Sequence, residues 1–338
     1  MSGRLRIVAA GVCCTIQDGG RRGYLRHGVS TSGPMDWVSL QLAQQLAGAA
    51  SSQPVIEVSI GGLELEVASG IVRLGLAGGG FTASVDGVAI RHPACVRLAA
   101  GMRLTIKTGA SGSWFYVAPS GAMDLAPVMG SNATHARYSI GPAGGKLLAQ
   151  GAEIGIVGGG AGGGDHSTVF PHLTDATPIR IMLGPQDDLF SQPDIALFLA
   201  STYQLSLRND RMAYVLEGPR IQPAASYDIV TDATALGSIQ MAGDGSPYVL
   251  MADRSSTGGY PKIATIIRAD IGRFAQKRSG EPIRFVVTSR GQAVSLLREV
   301  RAALELVGSR RHSGQIDIEA LSRGDDPTGV CHALQFDF

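Results

Sequence analysis

The sequence predicts a mainly β protein of two strand-rich domains with a few helices, and three observations carry that expectation. Short apolar runs alternate with a period of two and stop at glycine, as in "VIEVSIGGLELEVASG" (55–70) and "VRLAAGMRLTIKTG" (96–109). The 46 glycines set against 6% aromatic residues call for many turns. With 338 residues and 44% hydrophobic content the chain has material for two cores of ordinary size.

The elements follow in order. "SWFYVAPSG" (113–121) and "EIGIVGGG" (153–160) add further short strands with turn signals after them. This rhythm fits a barrel or sandwich better than alternating βαβ units. Three stretches read as helices. "DWVSLQLAQQLAG" (36–48) has Asp36 as N-cap, Val38, Leu42 and Leu46 on one face, and Gly48 as a stop. "PKIATIIRADIGRFAQ" (261–276) has Pro261 at the first helical position and Ile263, Ile266, Ile267, Ile271 and Phe274 along a stripe. "QAVSLLREVRAALELVG" (292–308) is the third. The glycine-rich stretch 158–178 is the expected linker, giving domains at 1–165 and 178–308 and a loosely held tail at 309–338. "QDGGRRGY" (17–24) and "RNDRMAY" (208–214) echo one another faintly across the two halves.

Charge and cysteine usage exclude several classes. Lysine plus arginine number 29 against 28 acids, a net charge of +1, which gives no basis for binding nucleic acid or an anionic membrane. Cys13, Cys14, Cys95 and Cys331 form no C-x-x-C pair and no disulfide framework. No apolar run approaches the roughly 20 residues that span a bilayer, and the N-terminus lacks the pattern of a signal peptide. The expected setting is soluble, reducing and cytoplasmic.

Familiar catalytic signatures fail. "GPAGGKLL" (141–148) resembles a phosphate loop, but Leu147 stands where a magnesium-binding hydroxyl is required. There is no G-x-G-x-x-G in "LAGGGF" (76–81), no G-x-S-x-G elbow, and no ligand spacing among the histidines, so no metal site is expected. "GSNATH" (130–135) reads as a hydrogen-bonded turn.

Three clusters remain: "QDGGRRGYLRHGVSTSGPMD" (17–36), "NDRMAYVLEG" (209–218) and "GSIQMAGDGSPYVLMADRSSTGGYPKIA" (237–264). In each, polar side chains are threaded on glycines, which let a backbone approach a ligand and offer its N–H groups as donors. Together they point to a small-molecule site on loops at the mouth of a β-barrel.

These same motifs, with "VIEVSIGGLELE", make the sequence resemble the biotin-dependent carboxyltransferase family, also called the allophanate hydrolase subunit 2 or Kip antagonist family. Its free-standing bacterial members are the C component of 5-oxoprolinase. The resemblance runs from about Leu5 to about Val287. It implies two cyclophilin-like β-barrel domains and a partner, the Kip inhibitor-like B component, while an A component completes an ATP-dependent 5-oxoprolinase. ATP with magnesium would be bound by the complex. Biotin is not expected on this chain, which has no A-M-K-M carrier motif. The sequence departs from the family pattern at Ala213, Val215, Ser255 and Ser256, where Gly, Arg, Gln and Thr are usual.

On that resemblance the expected chemistry is hydrolysis of the lactam amide of 5-oxoproline to glutamate. Negative charge develops on the amide oxygen and calls for cations and N–H donors. Arg21, Arg254 and Lys262 with the Gly258–Gly259 backbone suit that role, and Asp18 or Asp253 would orient groups or accept a proton. Tyr24, Ser32, Gln240, Thr257 and Tyr260 are the expected substrate contacts. Lys262 in the first turn of a helix would be repelled by the positive helix end unless an anion sat there. The alternatives are carboxyl transfer from carboxybiotin to a urea-like amide, or a regulatory role as partner of a Kip inhibitor-like protein.

Overall fold

The computed structural model describes residues 2–159, 166–168, 170, 177–224 and 228–309. A 12-stranded sheet runs between Gly3 and Ser167, and an 8-stranded sheet between Ile179 and Val287. A two-stranded ribbon joins Asp232–Ala233 to Thr257–Gly258. The mainly β expectation therefore holds.

The alternating stretches become strands at Val55–Val58, Leu63–Gly78, Ala94–Ala99 and Arg103–Lys107. Leu63–Gly78 is the spine of the first sheet. Its first half pairs with Gly3–Ala10 and Arg103–Lys107, and its second half with Ala94–Ala99 and Phe115–Pro119. One strand serving two sets of partners curls the sheet on itself. The enclosed core includes Leu5, Ile7, Val67, Leu74, Val96 and Leu104.

The first helix, Trp37–Ala47, forms where its caps require. Asp36 accepts from the N–H groups of Val38 at 3.0 Å and Ser39 at 3.1 Å, and Gly48 closes the helix at a φ of 75°. The helix lies directly on the spine strand at Gly75, where a Cβ would fall 2.0 Å from the Ala43 carbonyl oxygen. Trp37, Leu42 and Leu46 belong to one packed core with Ile181, Phe198, Tyr214, Ile263 and Phe274 of the second sheet and its helices. A helix from the first half of the chain is thus built into the core of the second. The C-terminal helix, Arg290–Ser309, adds Val300 and Leu304 to the same core.

The stretch 261–276 corrects the sequence reading. It is not one helix but a strand, Lys262–Ile266, followed by the short helix Ile271–Ala275. The strand sits inside the second sheet, between Ser238–Met241 and Ile179–Leu183. Ile263, Thr265 and Ile266 are β-branched and stiff at χ1, which favours the pleated surface, and a strand buried on both faces reads as a continuous apolar run. Lys262 therefore does not stand at a positive helix end.

The expected linker at 158–178 falls largely outside the described residues, as does the tail from 310 onward. Among the described residues no helix is long and apolar enough to cross a membrane.

Candidate functional site

Asp253 is held from both sides of its carboxylate. Arg211 donates to it through Nε at 2.8 Å and Nη2 at 3.1 Å, to the Gly33 carbonyl at 2.7 Å, and through Nη1 to Glu57. Glu57 also accepts from the Met35 N–H at 2.9 Å and the Tyr116 hydroxyl at 2.7 Å. The Glu57 side chain is 0% exposed, and those of Arg211 and Asp253 are 8% and 7%. Burial pushes the Glu57 pKa up, with Arg211 pulling against it. For Arg211, burial works downward, but the carboxylates of Asp253 and Glu57 outweigh it and hold the guanidinium charged. Ion pairs this deep cost several kcal/mol per charge to desolvate, so the network fixes geometry more surely than it adds stability. It ties the 33–36 loop and the Val55–Val58 strand of the first sheet to the 251–254 loop of the second.

That loop presents Arg254. Its N–H donates to the Met251 carbonyl at 3.2 Å, and its Nε reaches the Thr234 carbonyl only at 3.5 Å. Its terminal nitrogens meet no acceptor among the described residues. Arg254 is 6% exposed, and burial lowers its pKa while Asp253 opposes the shift. A buried guanidinium with free donors is ready for an anion.

Lys262 lies at the other end of the same short ribbon. Its Nζ is 3.1 Å from Asp232 Oδ2, an ion pair between side chains 1% and 49% exposed. The ammonium is not aligned as a hydrogen-bond donor to any described neighbour, so its donor capacity remains. Lys262, first among its neighbours, holds the Asp232 carboxyl below its usual range. Gln186 locks the position, accepting from the Lys262 N–H at 3.1 Å and donating to Asp232 at 3.0 Å. Gln240 is the register partner of Lys262 and donates to the Tyr260 carbonyl at 3.2 Å. It lies against Gly258, where a Cβ would fall 2.5 Å from Gln240 Nε2. Thr257 and Gly258 pair with Ala233 and Asp232, which brings Arg254, through Thr234, and Lys262, through Asp232, onto one wall. Beside them the N–H groups of Gly259 and Tyr260 donate to no described acceptor.

The first cluster is placed differently. Both carboxylate oxygens of Asp18 are occupied: the Gly20 N–H at 2.9 Å and Ser131 Oγ at 2.7 Å on one, the Asn132 N–H at 2.6 Å on the other. Arg21 is 1% exposed and donates to the Val128 carbonyl at 3.0 Å and the Ala133 carbonyl at 2.8 Å. Burial lowers its pKa, opposed by Asp18 and Asp253. These two residues stitch the 17–21 segment to "GSNATH", which is the hydrogen-bonded turn its sequence suggests. Among the described residues Arg21 Nη1 and Ser32 Oγ are buried without a partner, and Ser32 has a φ of 51°. Tyr24 is half-buried just before the 3₁₀ turn Leu25–His27.

Arg211 and Glu57 stand inside the sequence motifs, yet no local pattern gives them a role, and Asp232 and Gln186 lie outside those motifs altogether. A lone glutamate inside the apolar strand "VIEV" is the available signal, because a buried carboxylate demands a cation. Among the described residues no group of three or more His, Cys, Asp or Glu side chains is placed to hold a metal ion.

Residues 27–287 match the model of the carboxyltransferase domain, subdomain A and B. The chain is 33% identical over 309 residues to the C subunit of 5-oxoprolinase from Escherichia coli, covering 91% of this chain and 99% of that protein. It is 29% identical to the corresponding 5-oxoprolinase component of Haemophilus influenzae, covering 87% and 94%. Urea amidolyase of Saccharomyces cerevisiae is 26% identical over 89% of this chain, which spans 17% of that protein. The crystal structure of Kluyveromyces lactis urea carboxylase superimposes with a TM-score of 0.83 at 24% identity, over 93% of this chain and 30% of that one.

Proposed function

The chain belongs to the family of carboxyltransferase domains of subdomains A and B, and from that membership we propose that it is the C component of an ATP-dependent 5-oxoprolinase. With the A and B components of that enzyme it opens the lactam of 5-oxoproline to glutamate. The observation that carries this reading is the extent of the likeness: the chain covers 99% of the Escherichia coli C component at 33% identity.

The wall of Arg254, Lys262 and the Gly259 and Tyr260 N–H groups supports it. When water adds to an amide carbonyl, the oxygen gains negative charge, and preorganised donors in a water-poor site stabilise it. Arg254 has terminal nitrogens to spare among the described residues, and Lys262 stands 3.1 Å from Asp232 Oδ2 with its ammonium donors still available. Gln240, Thr257 and Tyr260 line the approach. Asp253 and Asp18, with every carboxylate oxygen engaged, act as positioning residues rather than proton acceptors. Arg21 serves with Asp18, while its Nη1 and the Ser32 hydroxyl, both buried without a partner among the described residues, are assigned with Tyr24 as further substrate contacts. ATP with magnesium is assigned to the assembled complex, where it drives the lactam opening, and biotin is not carried here.

Reconstitution tests the proposal. Glutamate release from 5-oxoproline with ATP is expected when this chain is mixed with the A and B components, and not when it is omitted. Silence from a complex shown to be assembled would reject it. The match to the carboxyltransferase domain model favours one second reading, carboxyl transfer from carboxybiotin to an amide. Inhibition by avidin would identify that chemistry.

A further inference from the structure

An open cleft of about 570 Å³ lies between the start of the Arg290–Ser309 helix and the ends of the strands Ile179–Leu183 and Lys262–Ile266. Its walls are almost wholly apolar, with Leu183, Leu236, Ile267, Ile271, Val294 and Leu297 facing one another, while Arg268 and Arg290 supply the charge. The volume is that of a small-molecule site. Its helical wall lies beyond residue 287, where the family match ends.

Neither the Arg268 nor the Arg290 guanidinium makes an ion pair or hydrogen bond with a described residue. Arg268 instead lies over the Trp37 ring, 5.1 Å from its centroid, while Trp37 Nε1 donates to the Arg268 carbonyl at 2.9 Å. Crowding by protein, followed by the like charges of Arg22, Arg301 and Arg254, pushes the Arg268 pKa down to about 10. Asp36 opposes the shift, and its carboxylate is already taken by Val38, Ser39 and Gln276. Two arginines beside an apolar cleft, with no counter-ion on them among the described residues, call for a ligand that brings one.

We infer that this cleft binds an amphipathic monoanion, an alkyl chain ending in a carboxylate, with the tail against Leu236, Val294 and Leu297 and the carboxylate on Arg268 and Arg290. Such binding is independent of the proposed function, and its test needs no catalysis.

Calorimetric titration of the full chain with hexanoate, octanoate and decanoate, read in parallel through Trp37 emission, tests it. Acetate supplies the charge without the tail, and decyltrimethylammonium the tail with the opposite charge. One saturable site is expected for the alkyl carboxylates, with affinity rising about fourfold per methylene, equivalent to about 0.8 kcal/mol. Acetate and the cation should not saturate it. Arg268→Gln should weaken decanoate at least tenfold, and Val294→Asp, at a position 40% exposed and so tolerant of a polar side chain, should abolish saturable binding. Both variants are checked for unchanged thermal melting. Decanoate binding no tighter than acetate, equal binding of the cation, or unchanged affinity in either folded variant would overturn the inference.

Discussion

Replacing Arg211 by Met removes the one cation between two buried carboxylates. The wild-type guanidinium donates to Asp253 at 2.8 and 3.1 Å, to the Gly33 carbonyl at 2.7 Å, and to Glu57, whose side chain is 0% exposed. Breaking a buried pair from one side leaves an uncompensated charge and costs about 3–5 kcal/mol. In urea denaturation that corresponds to a midpoint lowered by about 1–2 M. The loss also depends on pH. Burial already raises the folded pKa of Glu57 above its ordinary 4.5, and Arg211 opposes the rise, so removing Arg211 raises it further. A carboxylate whose folded pKa exceeds its unfolded value binds more protons when folded, so stability is kept below the unfolded pKa and lost as pH climbs through the folded one. The deficit should therefore be larger at pH 8 than at pH 5. Adding Glu57→Gln and Asp253→Asn to Arg211→Met should recover part of it. A deficit under about 1 kcal/mol, or one equal at both pH values, would refute a charge-compensating role for Arg211.

Other expectations follow from single contacts. Asp18→Ala strips the acceptor from the Gly20 and Asn132 N–H groups and from Ser131 Oγ, and should cost about 1–3 kcal/mol in thermal melting. Gly75→Ala places a methyl 2.0 Å from the Ala43 carbonyl oxygen, and because backbone must move, a loss at or above the usual overpacking range of about 1–3 kcal/mol is expected in the same assay. Burial pushes the Cys13 thiol up to about 12, so at pH 8 about one molecule in ten thousand carries its thiolate. In a Cys331→Ser background, a disulfide reagent should label Cys13 far more slowly in the native protein than after denaturation.

Local signals made part of this structure legible in advance. Asp36 and Gly48 marked the first helix because a carboxylate and a glycine satisfy helix ends by local bonds. Period-two alternation marked Arg103–Lys107 and the first half of Leu63–Gly78, where burial alternates along the strand, whereas Val55–Val58 is buried on both faces. The same logic misled at 261–276. Isoleucines at 263, 266, 267 and 271 fit a helical stripe as well as a strand buried on both faces, and only the flanking strands decide between them. The loop carrying Arg254 was legible from its glycines and charges. The anchor beneath it was not, because Arg211 meets Asp253 across 42 residues and Glu57 across 154. Pairing over such separations is set by the tertiary fold rather than by any local pattern.

The proposed chemistry stands or falls with the guanidinium of Arg254, to which it assigns the stabilisation of negative charge on the substrate. Glutamate release by the assembled complex carrying Arg254→Ala measures that role. Loss of one preorganised donor of this kind lowers turnover by about 10²–10³-fold. A fall of that size is expected in a complex that still assembles with the A and B components by gel filtration and still melts as the wild type does. Turnover within a few-fold of the wild type in such a complex would contradict the assignment.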